Sequence, residues 1–293
     1  MLYPRPLGST GLDVPILGLG AGRIGDPSLD DAVAGRILNE ALDLGLTLID
    51  AAPSYGVAEE RIGRHLAHRR HEIVLSTKLG YGVEGVPDWT GEAIARGIDR
   101  ALVLLRTDRI DVAFLQSCPV ETLRRDDIAA ALADAVASGK VGVAGYSGDN
   151  EPLDAALESN RFGALMVSVN IFDQAALEHV TPVAAERGVG IVAKRPVGNA
   201  PWRFAARPTG DYAEEYWLRM RAMGLELGDR WFEVALRFAA WAPGVACSVF
   251  GTAMSERLSD AVEAVSKGPL DDETVGAIRE SYHAHGAAWR GEV

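Results

Sequence analysis

Apolar residues recur along the chain in two alternating rhythms. Short runs, apolar on both faces, cover 16–20, 46–51, 73–78, 110–115, 141–147, 164–169, 190–194 and 246–250. A strand of a parallel sheet covered by helices on both sides has this composition. Between the runs, apolar positions fall at helical spacing. Ala34, Leu38, Ala41 and Leu42 form one stripe, and Ile94, Ile98, Ala101, Leu102 and Leu105 a second. Ile128, Leu132 and Val136 form a third, and 178–187 and 232–241 supply two more helices. Gly45 and Gly139 are placed to stop the first and third stripes.

Eight strands alternating with helices predict a parallel sheet. Residues 3–14 carry Gly8-Ser9-Thr10-Gly11, a turn signal between two short extended pieces. The count of eight and this hairpin prefix favour a closed (β/α)8 TIM barrel with a C-terminal helical extension. The 293 residues suit one such domain, 1–293. The segment 197–229 is unusually long for a connection, and such loops are commonly functional. It carries Trp202, Phe204, Tyr212, Tyr216 and Trp217, and it reads as a cap with a short helix near 211–223. Most of these aromatics are expected simply to pack the loop onto the barrel.

Charge and composition narrow the partners. The net charge of −12 argues against general affinity for nucleic acid or anionic membranes, and a small-molecule substrate is expected. The first residues show no charged segment followed by an apolar run and a cleavage site, so no secretory signal is expected. No apolar stretch has the length of a membrane span. With only two cysteines, Cys118 and Cys247, a reducing cytoplasmic setting is the expectation. His65, His68 and His71 sit among arginines and read as a solvated helix end. His283 and His285 have the wrong spacing for one helix face, so no metal site is expected. The oligomeric state has no signature in the sequence.

One stretch concentrates candidate chemistry. The second run ends at Asp50, and Pro53, Ser54 and Gly56 then turn the chain around Tyr55. The third run ends at Lys78. A carboxylate, a phenol and an amine at the carboxyl ends of neighbouring parallel strands form an acid–base set or, more plainly, a structural ion pair beside a loop tyrosine. Asp50-Ala51-Ala52-Pro53-Ser54-Tyr55-Gly56, with Glu59-Glu60, Gly63 and Ser76-Thr77-Lys78, resembles the aldo-keto reductase pattern. The resemblance runs from Arg5-Pro6-Leu7-Gly8 to about Arg257. It implies a barrel closed at the bottom by the hairpin, and Tyr55 as proton donor with Lys78 and Asp50 tuning it. An ammonium beside the phenol is expected to loosen its proton. The family's catalytic His falls on Gln116, which cannot titrate but can hydrogen-bond a substrate oxygen. The alternative is a cofactor-binding sensor or partner subunit with weak or lost reductase activity.

The resemblance also assigns a nicotinamide dinucleotide site. Gly20, Ala21, Gly22 and Arg23 fall at the end of the first barrel strand, on the nicotinamide side with Asp50. Ser147 keeps one carboxamide-holding position, whereas the Asn partner is Gly148 and the Gln partner Met166. In Lys194-Arg195-Pro196, Lys194 replaces the aromatic that stacks on the nicotinamide. A free cation there is expected to disfavour the oxidised cofactor. Phe250-Gly251-Thr252 and Arg257 match the adenosine-phosphate loop, although a basic residue is absent at Gly251 and an Asn at Ala261. Arg257 favours NADP(H) over NAD(H). The implied activity is an NAD(P)(H)-dependent oxidoreductase acting on a small carbonyl, sugar or the matching alcohol.

Overall fold

Two short strands, β1 (Pro4–Pro6) and β2 (Asp13–Pro15), pair antiparallel with Arg5 opposite Val14. Their turn contains Gly8 at φ 57°, where an added Cβ would lie 2.3 Å from the carbonyl oxygen of Gly188. Only glycine lets the hairpin come this close. The Arg5 guanidinium donates to the carbonyls of Ala240 and Val245 at 2.9 and 3.0 Å, and Leu7 is fully buried beneath the barrel. The hairpin therefore closes the bottom as expected. The computed structural model describes residues 2–286 and 288–292.

The eight barrel strands are β3 (Leu17–Gly20), β4 (Leu48–Asp50), β5 (Val74–Leu79), β6 (Ile110–Gln116), β7 (Val141–Ser147), β8 (Ala164–Ser168), β9 (Gly190–Lys194) and β10 (Cys247–Phe250). They close in the order β10-β3-β4-β5-β6-β7-β8-β9, all parallel. Leu48, Val112, Phe114, Met166, Val192 and Val249 form a buried cluster with the hairpin's Leu7 and Val14. A larger apolar layer joins the outward-facing strand residues to the helices. Closure leaves no sheet edge exposed to other chains.

The helices are α1 (Asp31–Asp43), α2 (Ala58–Leu66), α3 (Gly91–Leu105), α4 (Val120–Leu123), α5 (Asp126–Ala137), α6 (Asn150–Glu158), α7 (Ala175–His179), α8 (Thr181–Glu186), α9 (Glu214–Met223), α10 (Trp231–Ala240), α11 (Ser255–Ser266) and α12 (Asp272–His285). Gly45 and Gly139 follow α1 and α5 with positive φ, as stops should. The single helix expected over 178–187 is instead two, α7 and α8. Pro182 lies in the first turn of α8, where its missing N–H is harmless, but it could not continue a helix begun upstream. The segment 197–229 contains 3₁₀ turns at Pro201–Arg203 and Gly228–Arg230 and the helix α9. Its Trp202 stacks on Trp231 at 5.6 Å, and Tyr216 is fully buried. Tyr212 stays 84% exposed over the strand ends, so packing does not account for it. No helix among the described residues is long and apolar enough to cross a membrane.

Helix α2 approaches its neighbour through Gly63, where an added Cβ would lie 2.1 Å from the Leu104 carbonyl oxygen. Gly63→Ala is expected to destabilise the fold by about 2 kcal/mol through overpacking, read as a lower midpoint in urea unfolding. Gly276 lies in α12 with nothing within 4 Å of an added Cβ. Gly276→Ala is expected to stabilise by about 0.5–1 kcal/mol in the same measurement, because alanine orders more readily in a helix.

Candidate functional site

Asp50 ends β4 and is 2% exposed. Side chains alternate across a strand, so Ser76 and Lys78 of β5 face inward together. Ser76 Oγ donates to Asp50 Oδ1 at 2.6 Å, Lys78 Nζ donates to the same oxygen, and Nζ also reaches the Ala51 carbonyl at 3.1 Å. Thr77, pointing the other way, donates to the buried carboxylate of Glu59 at 2.6 Å, with Arg100 3.7 Å from Glu59. Both faces of this strand end are thus pinned by polar contacts.

Tyr55 lies in the turn after β4. The Lys78 ammonium sits 5.8 Å from its ring centroid. Gly25 packs on the Tyr55 backbone so closely that an added Cβ would collide with the tyrosine carbonyl, and Val57 N–H donates to the Gly25 carbonyl at 3.0 Å. This lock on the loop had no readable signal in the local pattern. The expectation that the ammonium loosens the phenol proton is not met. Burial raises the Tyr55 pKa above its ordinary value, the Asp50 charge raises it further, and Arg195 acts in the opposite direction. The main cause is burial of the phenol, and the neighbouring Asp50 carboxylate adds to it. The Tyr55 hydroxyl is therefore held protonated near neutral pH.

Gln116 ends β6, opposite Ser147 of β7. Its Oε1 is buried with no hydrogen-bond partner among the described residues. An orphaned buried acceptor is costly unless something donates to it. Cys118 is buried, and desolvation pushes its thiol up to about 12, so it stays protonated and unreactive. No cluster of three or more potential metal ligands occurs among the described residues. A groove of about 550 Å³ on the outer face between α3 and α5 is lined by alanines and scattered carboxylates and holds no acid–base set.

The strand ends of β7, β8 and β9 depart from the expectations. Ser147 and Met166 are buried. At Gly148 an added Cβ would lie 2.6 Å from the Tyr146 hydroxyl, so the missing Asn has no room. Lys194 is not a free cation. Its Nζ pairs with Asp149 Oδ2 at 2.8 Å, which removes the basis for disfavouring an oxidised cofactor. Asp149 also accepts from Ser168 N–H at 2.8 Å and Ser168 Oγ at 3.1 Å. Arg195, at φ 54°, donates to the Glu292 carbonyl, and Pro196 is buried behind it. Deeper in, Asp173 lies 3.9 Å from Arg219 and accepts from the Tyr216 hydroxyl at 3.4 Å. Asp149, Asp173 and Arg219 escaped the sequence reading. Asp149 adjoins the Ser147-Gly148 pair and could have been flagged; Asp173 and Arg219 come together only in three dimensions.

On the other side of the barrel rim, the ends of β3 and β10 lie side by side. Gly20 and Gly251 face each other, an added Cβ on Gly251 lying 3.1 Å from the Gly20 carbonyl oxygen. Ala21 N–H donates to the Asp50 carbonyl at 2.8 Å, while Gly22 and Arg23 are exposed. Phe250 packs edge-on against Phe232, and the Arg257 guanidinium lies 5.7 Å from the Phe232 ring centroid. Thr252 Oγ1 accepts from Met254 N–H at 3.1 Å. Helix α11 begins without a side-chain cap, although the Arg257 N–H in its first turn donates to the Met254 carbonyl at 3.2 Å. The resemblance places the adenosine half of a dinucleotide at this end. At the nicotinamide end the donor set is an ion pair rather than an aromatic and two amides.

The buried carboxyl of Asp173 is raised to about 6, first by burial and then by Asp149, with Arg219 opposing. Its folded value lies above its ordinary 3.8, so folding takes up a proton between about pH 4 and 6. The stability this provides is full below about pH 4 and is lost as pH rises through 6. Asp173→Asn lacks this dependence. Wild type should therefore gain on the variant by on the order of 3 kcal/mol as pH falls from 7 to 4, measured by denaturant unfolding across pH.

Comparison with known proteins agrees with this geometry. Residues 16–283 match the model of the aldo/keto reductase family. The chain is 29% identical to an oxidoreductase of Bacillus subtilis, YrpG, over 96% of both chains. It is 30% identical to the D-threo-aldose 1-dehydrogenase of a Pseudomonas species, covering 71% of this chain and 73% of that protein. Its fold superposes on the holo form of an aldo-keto reductase from Bacillus halodurans with a TM-score of 0.82 at 26% identity, covering 96% of each chain. With the matched region spanning all eight barrel strands and the Asp50, Tyr55 and Lys78 cluster at their carboxyl ends, the chain belongs to the aldo/keto reductase family.

Proposed function

We propose that the protein is an NAD(P)(H)-dependent oxidoreductase that interconverts a small carbonyl, such as an open-chain sugar, and the matching alcohol. The observation that carries this reading is Lys78 clamped to Asp50 beneath the ring of Tyr55 at the mouth of a barrel. The sugar class is supported by similarity to D-threo-aldose 1-dehydrogenase and to the L-galactose dehydrogenase of Arabidopsis thaliana, the latter 28% identical over 66% of this chain. A bound reduced nicotinamide supplies hydride to a carbonyl carbon. The chain's residues manage the proton and the oxygen.

As the carbonyl oxygen gains negative charge, Tyr55 donates its hydroxyl proton to it. A raised phenol pKa suits this direction, because the proton stays on Tyr55 until an oxyanion forms nearby. Lys78 then holds the phenolate, and Asp50 holds Lys78. Gln116 offers N–H groups to the substrate oxygen, and its unpartnered Oε1 can accept from an adjacent hydroxyl. Such two-way hydrogen bonding suits a polyhydroxylated substrate. Arg257, exposed beside the uncapped start of α11, favours a 2′-phosphate and hence NADP(H). The sensor reading gains from the altered carboxamide pocket, and retention of the full Asp50, Tyr55 and Lys78 set weighs against it.

Four measurements test this proposal. Fluorescence titration with NADPH should show binding, and absorbance should report turnover across a panel of aldoses and simple aldehydes. Tyr55→Phe should cut kcat by about 10²–10⁴-fold while leaving NADPH affinity nearly unchanged. Gln116→His should raise turnover on simple aldehydes lacking hydroxyls; an unaltered rate would show that this position does not set the chemistry. Arg257→Ala should weaken NADPH binding by about tenfold and leave NADH binding almost untouched, on the scale of one charge-assisted contact. Binding without turnover on any substrate in either direction would favour the sensor.

A further inference from the structure

The segment Trp289–Glu292 lies across the carboxyl ends of β7, β8 and β9. It belongs to no helix or strand, and side chains of the barrel rim hold it. The Asn150 amide forms a two-point pair with the Gly291 backbone, Nδ2 to the carbonyl at 2.9 Å and N–H to Oδ1 at 2.8 Å. Glu292 N–H reaches Asp173 Oδ2 at 3.3 Å, and its carbonyl accepts from Arg195. Arg219 donates to the Arg290 carbonyl at 2.8 Å and to the Glu292 carboxylate at 3.0 Å. Trp289 closes over the same guanidinium, 5.3 Å from its ring centroid.

This seat adjoins the groups at the nicotinamide end of the cleft. Gly291 lies on Asp149, where an added Cβ would be 2.6 Å from the aspartate's Cβ, and Asp149 is the partner of Lys194. Glu292 is held by Arg195, the residue after Lys194. At the adenosine end, Arg257 is exposed and pairs only with Asp260 of its own helix among the described residues, at 3.3 Å. The chain's own residues 289–292 thus lie over one side of the rim and not over the other.

We infer that Trp289–Glu292 is an internal strap that competes with the nicotinamide half of a dinucleotide, so that cofactor binding must lift it from Asn150 and Arg195. This rests on the cofactor reading above and goes beyond it. The strap's hold is polar and local, so it can be released without unfolding the barrel. A state whose pocket is mostly closed binds with an apparent affinity reduced by the closed fraction. The adenosine half binds first in this scheme and is insensitive to the strap.

The test compares the full chain with two variants, a truncation after Trp289 and Gly291→Val, which cannot seat against Asp149. The probes are NADPH and the fragment 2′-phosphoadenosine 5′-diphosphate, titrated by calorimetry. Circular dichroism and thermal melts establish that the variants are folded. Truncation and Gly291→Val should each tighten NADPH binding by about tenfold and leave fragment binding unchanged, the size set by the closed fraction. Hydrogen exchange at 290–292 in the full chain should speed up on adding NADPH and not on adding the fragment. Unchanged or weaker NADPH binding in a folded variant, with the fragment still bound, overturns the strap and leaves the cofactor reading standing. Binding of neither probe to any form removes the cofactor reading and the strap with it.

Discussion

The ion pair between Asp50 and Lys78 is the constraint around which this barrel end is built. Both groups are almost fully buried, and a charge so placed is tolerated only when it is paired and hydrogen-bonded. Ser76 Oγ and the Ala51 carbonyl complete the set. Removing either partner would leave the other as an uncompensated buried charge, so the pair fixes the relative height of β4 and β5. Their register, Asp50 opposite Ser76, follows from it or is reinforced by it. The same carboxylate adds to the effect of burial in keeping the Tyr55 phenol protonated.

A second buried charge network lies across the rim, and it behaves differently. Asp173 and Arg219 bond backbone atoms of Glu292 and Arg290, and the nearby Lys194–Asp149 pair packs beneath Gly291. Whereas the β4–β5 pair is satisfied within the barrel, this network is completed by a segment outside any regular element. Stiff and yielding halves of one site therefore follow from where each charge finds its last hydrogen bonds. The orphaned Oε1 of Gln116 sits on β6, between the β5 ion pair and the β7 end of the second network. It is the side chain at the strand ends whose polar atom waits for an external donor.

Much of the barrel was legible because its signals are local. The apolar strands, the helical stripes, Gly45 and Gly139 as stops and the hairpin turn at Gly8 each depend on neighbours a few residues away. Where a local signal was overlooked, as with Pro182 between α7 and α8, the error lay in length and not in kind. The acid–base set was legible for a related reason: Asp50, Tyr55 and Lys78 sit at the ends of adjacent strands, so alternation along the chain implies adjacency in space.

By itself the sequence determined a parallel eight-stranded closure and the gathering of Asp50, Tyr55 and Lys78 at neighbouring strand ends. Only tertiary structure decided the electrostatics. Whether Lys194 is a free cation depends on Asp149, which arrives from the far end of β7. Whether Lys78 loosens the phenol depends on how completely Asp50 offsets it and how deeply the ring is buried. Whether the nicotinamide end is open depends on a segment nearly a hundred residues downstream of Lys194. Charges act through space and through the local dielectric, and neither distance nor burial is encoded in the order of residues along a strand.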